Sequence, residues 1–167
     1  MAQDKGVLFT VDLEGIYDSL HDEQRGNTQI PLESFEWLCD LLDEHEIKAV
    51  FYSVDHLRFL VDQDTHILRT HGKYHKKHEV ADREPYANLG LTGGFWFRLL
   101  PLWFIKWNIK RRGFFYIHLH DIEEDHPILK NKLLNWKRHA GLKTARRKLE
   151  RLLMEVHFRD ADSRSFR

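Results

Sequence analysis

The residues best suited to chemistry in this chain directly follow short apolar segments. Asp12 and Glu14 come at the end of VLFTVDLE, His71 and His75 follow HILRT, and His118 lies in FFYIHLH. Two imidazoles and one carboxylate form an open metal site with room for water. A further carboxylate and a further histidine can move protons. These residue types therefore indicate metal-assisted acid–base chemistry.

His71 and His75 have the spacing of a two-histidine metal ligand. A four-residue step brings both side chains to one side of a helical turn, and Gly72 allows the chain to turn sharply between them. The alternative interpretation is a solvated basic loop, because the same segment, THGKYHKKH, carries three lysines.

The two carboxylates in VDLEG strengthen the case for a site. Asp12 ends an apolar segment, where a carboxylate is costly to bury unless it is paired or functional. With two carboxylates, one can bind a metal ion while the other takes a proton from the metal-bound water. The alternative is a capped strand end with a solvated Glu14.

The pattern of apolar residues predicts the elements that would position this chemistry. Predicted strands are Val7–Asp12, Lys48–Val54, His66–Thr70 and Gly113–His120, with a further short strand at VHF. One predicted helix begins at Pro31, and the others span His56–Val61, Leu99–Arg112 and about Thr144 to Val156. The segment from Gly72 to Gly94 is loop-like. Alternating strands and helices predict an α/β fold with a mainly parallel sheet. In such folds, function gathers where the strands end.

Composition narrows the class of protein. The chain has 167 residues, with 26 Lys and Arg against 26 Asp and Glu, so no strongly basic surface for nucleic acid is indicated. Its one cysteine, Cys39, excludes a disulfide scaffold. The longest apolar stretch, Phe95 to Ile105, is too short to span a bilayer, and no secretory signal is visible. We expect a single cytoplasmic domain over residues 1–167, of unknown oligomeric state.

Several motifs together resemble the polysaccharide deacetylase family, carbohydrate esterase family 4. They are FTVDLEG, KAVFYSV, THGKYH, the segment GGFWFRLLP of envelope-polysaccharide deacetylases, and FFYIHLHDIEEDHP. The resemblance implies that Asp12 is the catalytic base and that His118 is the general acid. It also implies that Glu14, His71 and His75 bind a divalent metal ion, with zinc as the expected metal.

The middle of the chain departs from the family pattern. Fewer residues than usual separate the histidine motif from the two glycines, so the resemblance implies a trimmed, irregular (β/α) barrel. REPY resembles the family's arginine motif. In that motif Arg83 would orient Asp12, and the Tyr86 amide would stabilise the oxyanion of the reaction.

The implied activity is hydrolysis of an N-acetyl (or O-acetyl) group on a sugar, which would be nucleotide- or lipid-linked, in envelope or O-antigen polysaccharide biosynthesis. Trp96, Trp103 and Trp107 are candidates for packing on the sugar ring, although positions in the helix core are favoured for Trp103 and Trp107. His120 remains a rival of His118, because alternate residues of a strand share a face. Otherwise His120 and Asp121 are candidates for residues that support the catalytic groups, and Asp121 is the next candidate for the base. Two other functions stay open: a non-haem iron enzyme with two histidines and one carboxylate, and a non-catalytic sugar- or metal-binding protein.

Overall fold

The computed structural model describes residues 6–13, 32–53, 60–62, 65–70, 91–123, 126 and 128–161. Its strands are β1 (Leu8–Leu13), β2 (Val50–Ser53), β3 (Ile67–Thr70) and β4 (Phe114–His118). Its helices are α1 (Leu32–Glu44), α2 (Gly94–Leu99), α3 (Leu102–Arg112), α4 (Lys132–His139) and α5 (Leu142–Glu155), and a 3-10 turn spans Leu119–Asp121.

The four strands form one parallel sheet in the order β3-β2-β1-β4. The predicted α/β class with a mainly parallel sheet is confirmed, and the architecture is consistent with a trimmed, irregular barrel. All six residues of β1 are buried, as expected for a central strand that lies between two other strands of a parallel sheet. Parallel strands end at the same edge of a sheet, so the carboxyl ends of all four strands lie together.

The two faces of the sheet have different environments. Phe9 and Val11 of β1 belong to the main core, which they share with buried residues of α1, α3 and α5. The opposite face carries Leu8, together with Val50, Tyr52 and Phe114 of the neighbouring strands. Because strand side chains alternate between faces, Asp12 lies on this second face, opposite the face covered by α1, α3 and α5.

The predicted helix from Leu99 to Arg112 begins three residues later than expected, at Leu102, and a separate helix, α2, which was not predicted, precedes it. Pro101 has no N–H to donate, and it disfavours the helical conformation at the residue before it. Leu100 is accordingly extended, with φ −78° and ψ 150°, and α3 begins after Pro101. The predicted end is confirmed: Gly113 is left-handed at φ 79°, and its N–H donates to the carbonyl of Ile109.

The other elements agree with the sequence to within a few residues, except for one helix that was not predicted. The predicted last strand is a single bridge between Val7 and Phe158. Helix α4 was missed; Asn131 caps it by accepting hydrogen bonds from the N–H groups of Leu133 and Leu134. The short helix predicted from His56 to Val61, and the loop from Gly72 to Gly94, fall mostly outside the described residues. Within the described part of the chain, no helix is both long and apolar enough to cross a bilayer.

Candidate functional site

Asp12 and His118 meet at the carboxyl ends of β1 and β4. The two residues are register partners in adjacent parallel strands, so their side chains leave the same face of the sheet. Asp12 Oδ2 lies 3.3 Å from His118 Nε2. The Asp12 side chain is 10% exposed and that of His118 is 25% exposed, so the pair can be reached from solvent. Two residues 106 positions apart in sequence therefore form the centre of a candidate acid–base site.

A second carboxylate holds the other side of the His118 ring. The chain leaves β4 in the 3-10 turn, which brings Asp121 back toward the strand end. Asp121 Oδ2 accepts a hydrogen bond from the His118 backbone N–H at 3.0 Å and lies 3.2 Å from His118 Nδ1. The imidazole is thus fixed between two carboxylates, one at each ring nitrogen.

Arg98 forms a buried ion pair with Asp121. Its Nε lies 3.1 Å from Asp121 Oδ1, and both side chains are almost fully buried. The remaining guanidinium nitrogens donate to the carbonyls of Lys137, Arg138 and Ala140, at the end of α4. The last carbonyls of a helix lack partners within it and carry its negative dipole end. Arg98 therefore links the end of α4 to the turn that positions His118.

The segment GGFWFR is built to bring Arg98 into this position. A Cβ on Gly93 would lie 1.6 Å from the carbonyl oxygen of Tyr116, so only glycine allows this close approach to β4. Gly94 adopts φ +55°, a conformation that favours glycine. Lys148 of α5 donates to the carbonyls of Phe97 and Leu100, which ends α2 just beyond Arg98. The motif that carried the family resemblance is thus a structural support for the site.

The charges around the turn keep Asp121 ionised. Burial by itself raises the pKa of its carboxyl, but the hydrogen bond with His118 and the electrostatic interactions with His120, His118 and Arg98 outweigh it. The net result is a pKa well below the usual range. With both oxygens in contact with positive or donating groups, Asp121 is suited to orient His118 rather than to accept a proton from substrate.

His120 is a weaker candidate for the general acid than His118. The expectation that both residues lie on one strand is wrong, because β4 ends at His118 and His120 belongs to the 3-10 turn. The two rings nevertheless stack, with centroids 4.7 Å apart. Burial first, and then the charges of His118, Arg138 and His126, hold the pKa of His120 well below its usual value, although Asp121 opposes this. A neutral imidazole is a poor proton donor at neutral pH.

The arrangement can perform acid–base chemistry at one point. A carboxylate at Nδ1 fixes the ring orientation and stabilises the imidazolium form of a histidine. This leaves Nε2, which faces Asp12, as the nitrogen that exchanges protons with a reacting group. The contact between Asp12 and His118 also provides a direct path for a proton between them.

One group of described residues has the composition of a metal site. Ligand atoms of His118, His120 and Asp121 lie within 4.8 Å of one another. However, the carboxylate of Asp121 already contacts the Arg98 guanidinium at one oxygen and His118 at the other. A cation at this position would be repelled by Arg98 and would have to displace both contacts. These three residues fit a hydrogen-bonded network better than a metal site.

The three predicted metal ligands, Glu14, His71 and His75, lie outside the described residues, as do Arg83 and Tyr86. The strand ends that precede them are described. In the sheet register Leu13 pairs with Ser53 and Ser53 pairs with Thr70. At about 4.8 Å per strand, the ends of β1 and β3 are roughly 10 Å apart. The backbone positions just before Glu14 and His71 are thus at the same edge of the sheet.

The three tryptophans considered for a sugar site are all exposed to some degree. Trp96 on α2 is 40% exposed and contacts Phe95 edge-on, so it is free to bind a ligand, and its role stays a prediction. The core positions expected for Trp103 and Trp107 are wrong, since they are 68% and 53% exposed. The residues of α3 that face the core are Ile105, Asn108 and Ile109.

Arg98 is the residue of the candidate site that sequence reasoning missed, whereas Asp121 was considered as a supporting residue. A usable signal for Arg98 was present: it is the one charged residue in the apolar stretch FWFRLLPLWFI. A charge within such a stretch is rarely buried unless it is paired. The partner could not be identified, because it lies 23 residues away, in a turn that the strand pattern did not predict.

The fold and site together define an α/β protein with a buried carboxylate–histidine–carboxylate arrangement at the carboxyl edge of a parallel sheet. Residues 79–165 match the DUF3473 family, a domain of unknown function. This match covers more than half of the chain, so the chain belongs to the DUF3473 family. The domain is known in polysaccharide deacetylase-like proteins. No curated protein and no solved structure matches the chain.

Proposed function

We propose that this protein is a metal-dependent hydrolase that removes an N-acetyl (or O-acetyl) group from a sugar. The observation that carries the proposal is the position of His118, held between Asp12 and Asp121 where β1 and β4 end. Deacetylation needs a base for water and an acid for the departing group, and this site offers one of each. The family resemblance of the motifs around both residues, and the occurrence of the DUF3473 domain in polysaccharide deacetylase-like proteins, support the same activity.

In the proposed reaction, Asp12 takes a proton from the attacking water, with Arg83 holding its carboxylate in place. The 3.3 Å contact between Asp12 and His118 Nε2 gives that proton a short route to the acid. His118 then protonates the departing amine from the same nitrogen. Asp121 keeps the ring in position throughout, since it contacts the opposite nitrogen.

A divalent ion, with zinc as the expected metal, would be held by Glu14, His71 and His75. When bound, it would polarise the acetyl carbonyl and lower the pKa of the attacking water. Tyr86 would contribute its backbone N–H to the same developing negative charge. The natural substrate would be an acetylated sugar, nucleotide- or lipid-linked, in envelope polysaccharide biosynthesis, with Trp96 as a contact for the ring.

The alternative functions are less well supported by the site. Pure binding of a sugar or metal ion requires no oriented histidine between two buried carboxylates. An iron oxygenase would use the two-histidine, one-carboxylate group for dioxygen, and such sites are usual in antiparallel barrels, whereas this sheet is parallel.

The experiment is a measurement of acetate release from N-acetylated sugars, both as oligosaccharides and as nucleotide sugars, by the full chain loaded with zinc. We expect release by the wild-type protein and a loss of at least about a hundredfold in His118→Gln, because general acid catalysis contributes ~10²–10⁴-fold. The metal content of the variant should be unchanged. If the wild type releases no acetate from any of these sugars, or if His118→Gln retains its rate, the proposal is wrong.

A further inference from the structure

Helix α3 presents an aromatic face that nothing in the described structure covers. Its inward residues are Ile105, Asn108 and Ile109, whereas Trp103 and Trp107, four residues apart, lie on the opposite side with 68% and 53% exposure. Phe104 joins them, because its ring centroid lies 5.8 Å from those of both tryptophans. We call Trp103, Phe104 and Trp107 the aromatic face. Exposed apolar patches of this kind mark interaction sites more often than chance.

Positive charge lies directly beside the aromatic face. Residues 94–113 contain five Lys and Arg residues and no Asp or Glu, in a chain whose total charge is zero. Arg98 is buried in the candidate functional site, and Lys106 pairs with Glu155 of α5. The remaining Lys110, Arg111 and Arg112 are exposed at the end of α3. The guanidinium of Arg111 lies 5.6 Å from the centre of the Trp107 ring, so the basic group and the aromatic face are continuous.

A small cavity adjoins the same basic end. Its volume is about 280 Å³, and its walls include Lys110, Arg111, Arg112 and His157. Four of the seven residues that line it are basic, and the space is large enough for a phosphate group. This second observation indicates an anionic ligand at the end of α3.

We propose that α3 docks this protein onto the surface of an anionic lipid bilayer. Tryptophan rings are favoured at the boundary between headgroups and hydrocarbon, and Lys and Arg beside them attract anionic headgroups. Helix α3 has 11 residues and is thus about 16 Å long, so it would lie along the surface rather than cross it. The cavity beside Lys110 and Arg111 would receive a lipid phosphate. The proposal does not depend on the proposed hydrolase activity.

Charge and ring geometry favour a bilayer over other occupants. A second copy of the chain would bring the same basic residues to the interface, and α3 has no acidic side chain to meet them. Single-stranded nucleic acid stacks its bases on separate aromatic faces. Here Trp103 packs edge-on against Phe104, with an interplanar angle of 86°.

The test is co-sedimentation of the full chain with vesicles of phosphatidylcholine containing roughly one quarter phosphatidylglycerol, and with vesicles of phosphatidylcholine alone. We expect binding to the anionic vesicles, weakened on the order of tenfold or more by Trp103→Ala with Trp107→Ala, and equally by Lys110→Glu with Arg111→Glu. Trp136→Ala is the matched control, because Trp136 is also exposed (56%) but lies on α4. It should bind as the wild type does.

Two further readouts keep the result interpretable. Far-ultraviolet circular dichroism must show that the variants are folded. In the wild-type protein, which carries no substitution, brominated lipids should quench the tryptophan fluorescence. Equal binding to neutral vesicles, loss in Trp136→Ala, or no quenching would overturn the proposal. The proposal would also be overturned if the wild type does not bind vesicles but instead self-associates or binds a single-stranded oligonucleotide, and the α3 variants abolish that interaction.

Discussion

The ion pair between Arg98 and Asp121 should stabilise the fold and position His118 at the same time. Asp121→Asn preserves the size of the side chain but leaves the Arg98 guanidinium buried without its carboxylate. With charge centres about 4 Å apart and an effective dielectric constant of ~20, the lost attraction is about 4 kcal/mol. Breaking a buried pair on one side typically costs 3–5 kcal/mol. Because three carbonyls still accept hydrogen bonds from Arg98, we expect a loss of about 3 kcal/mol in the free energy of unfolding.

The assay is urea unfolding of the wild type, Asp121→Asn, Arg98→Met and the double variant. The double variant should recover part of the loss, because it removes both buried charges. Glu155→Gln is the control, since it breaks the exposed pair with Lys106 and should change stability far less. A loss below about 1 kcal/mol in Asp121→Asn, or strict additivity in the double variant, would refute the reasoning.

The pH dependence gives an independent check on the same carboxylate. The pKa of Asp121 is lower in the folded protein than its ordinary value near ~3.9. Its contribution to stability is therefore complete above that value and is lost as the pH falls toward the folded pKa. Acidification below about pH 4 should weaken the wild type more steeply than Asp121→Asn.

Three further predictions concern other parts of the site. Burial holds the pKa of His120 below its usual value, so below about pH 6.5 the unfolded chain binds a proton at His120 and the folded chain does not. The free energy of unfolding should therefore fall by about 1.4 kcal/mol for each pH unit below that value. Unfolding of His120→Gln, measured over the same pH range, should lack this contribution. Gly93→Ala should destabilise by several kcal/mol, because its Cβ would collide with the Tyr116 carbonyl. At Gly113 an added Cβ would contact no neighbouring atom, but φ is +79°, so Gly113→Ala should lower the free energy of unfolding by only about 1–2 kcal/mol in the same denaturation assay. Equal losses in Gly93→Ala and Gly113→Ala would contradict this account. His71→Ala should abolish the binding of one equivalent of zinc, measured by metal analysis, and unchanged stoichiometry would reject His71 as a ligand.

The sequence was sufficient to predict the parallel sheet and the strands that carry Asp12 and His118. Apolar segments marked β1 and β4, and Asp12 and His118 are the polar residues that end them. Since parallel strands share an edge, their proximity followed once both strands were recognised. The neighbour relation itself, β1 beside β4, came only from the structure.

The support around His118 could not be predicted, because it depends on contacts between distant segments. A strand pattern continues through His120, whereas the chain actually turns at Leu119 and returns Asp121 to the ring. Arg98 reaches that turn from α2, a helix that was not predicted. Helix α4 has eight residues, too few for its apolar pattern to be recognised, and none of them is buried, although Asn131 gave a capping signal.

The most direct test of the proposed mechanism is the rate of acetate release by Asp12→Asn, measured together with its zinc content. Asparagine keeps the shape of the side chain but cannot accept the proton of water at neutral pH. General-base catalysis is typically worth ~10²–10⁴-fold. We expect the variant to fold, to bind zinc as the wild type does, and to release acetate at least about a hundredfold more slowly. Release within a few-fold of the wild-type rate, with zinc retained, would contradict the role of Asp12 as the base.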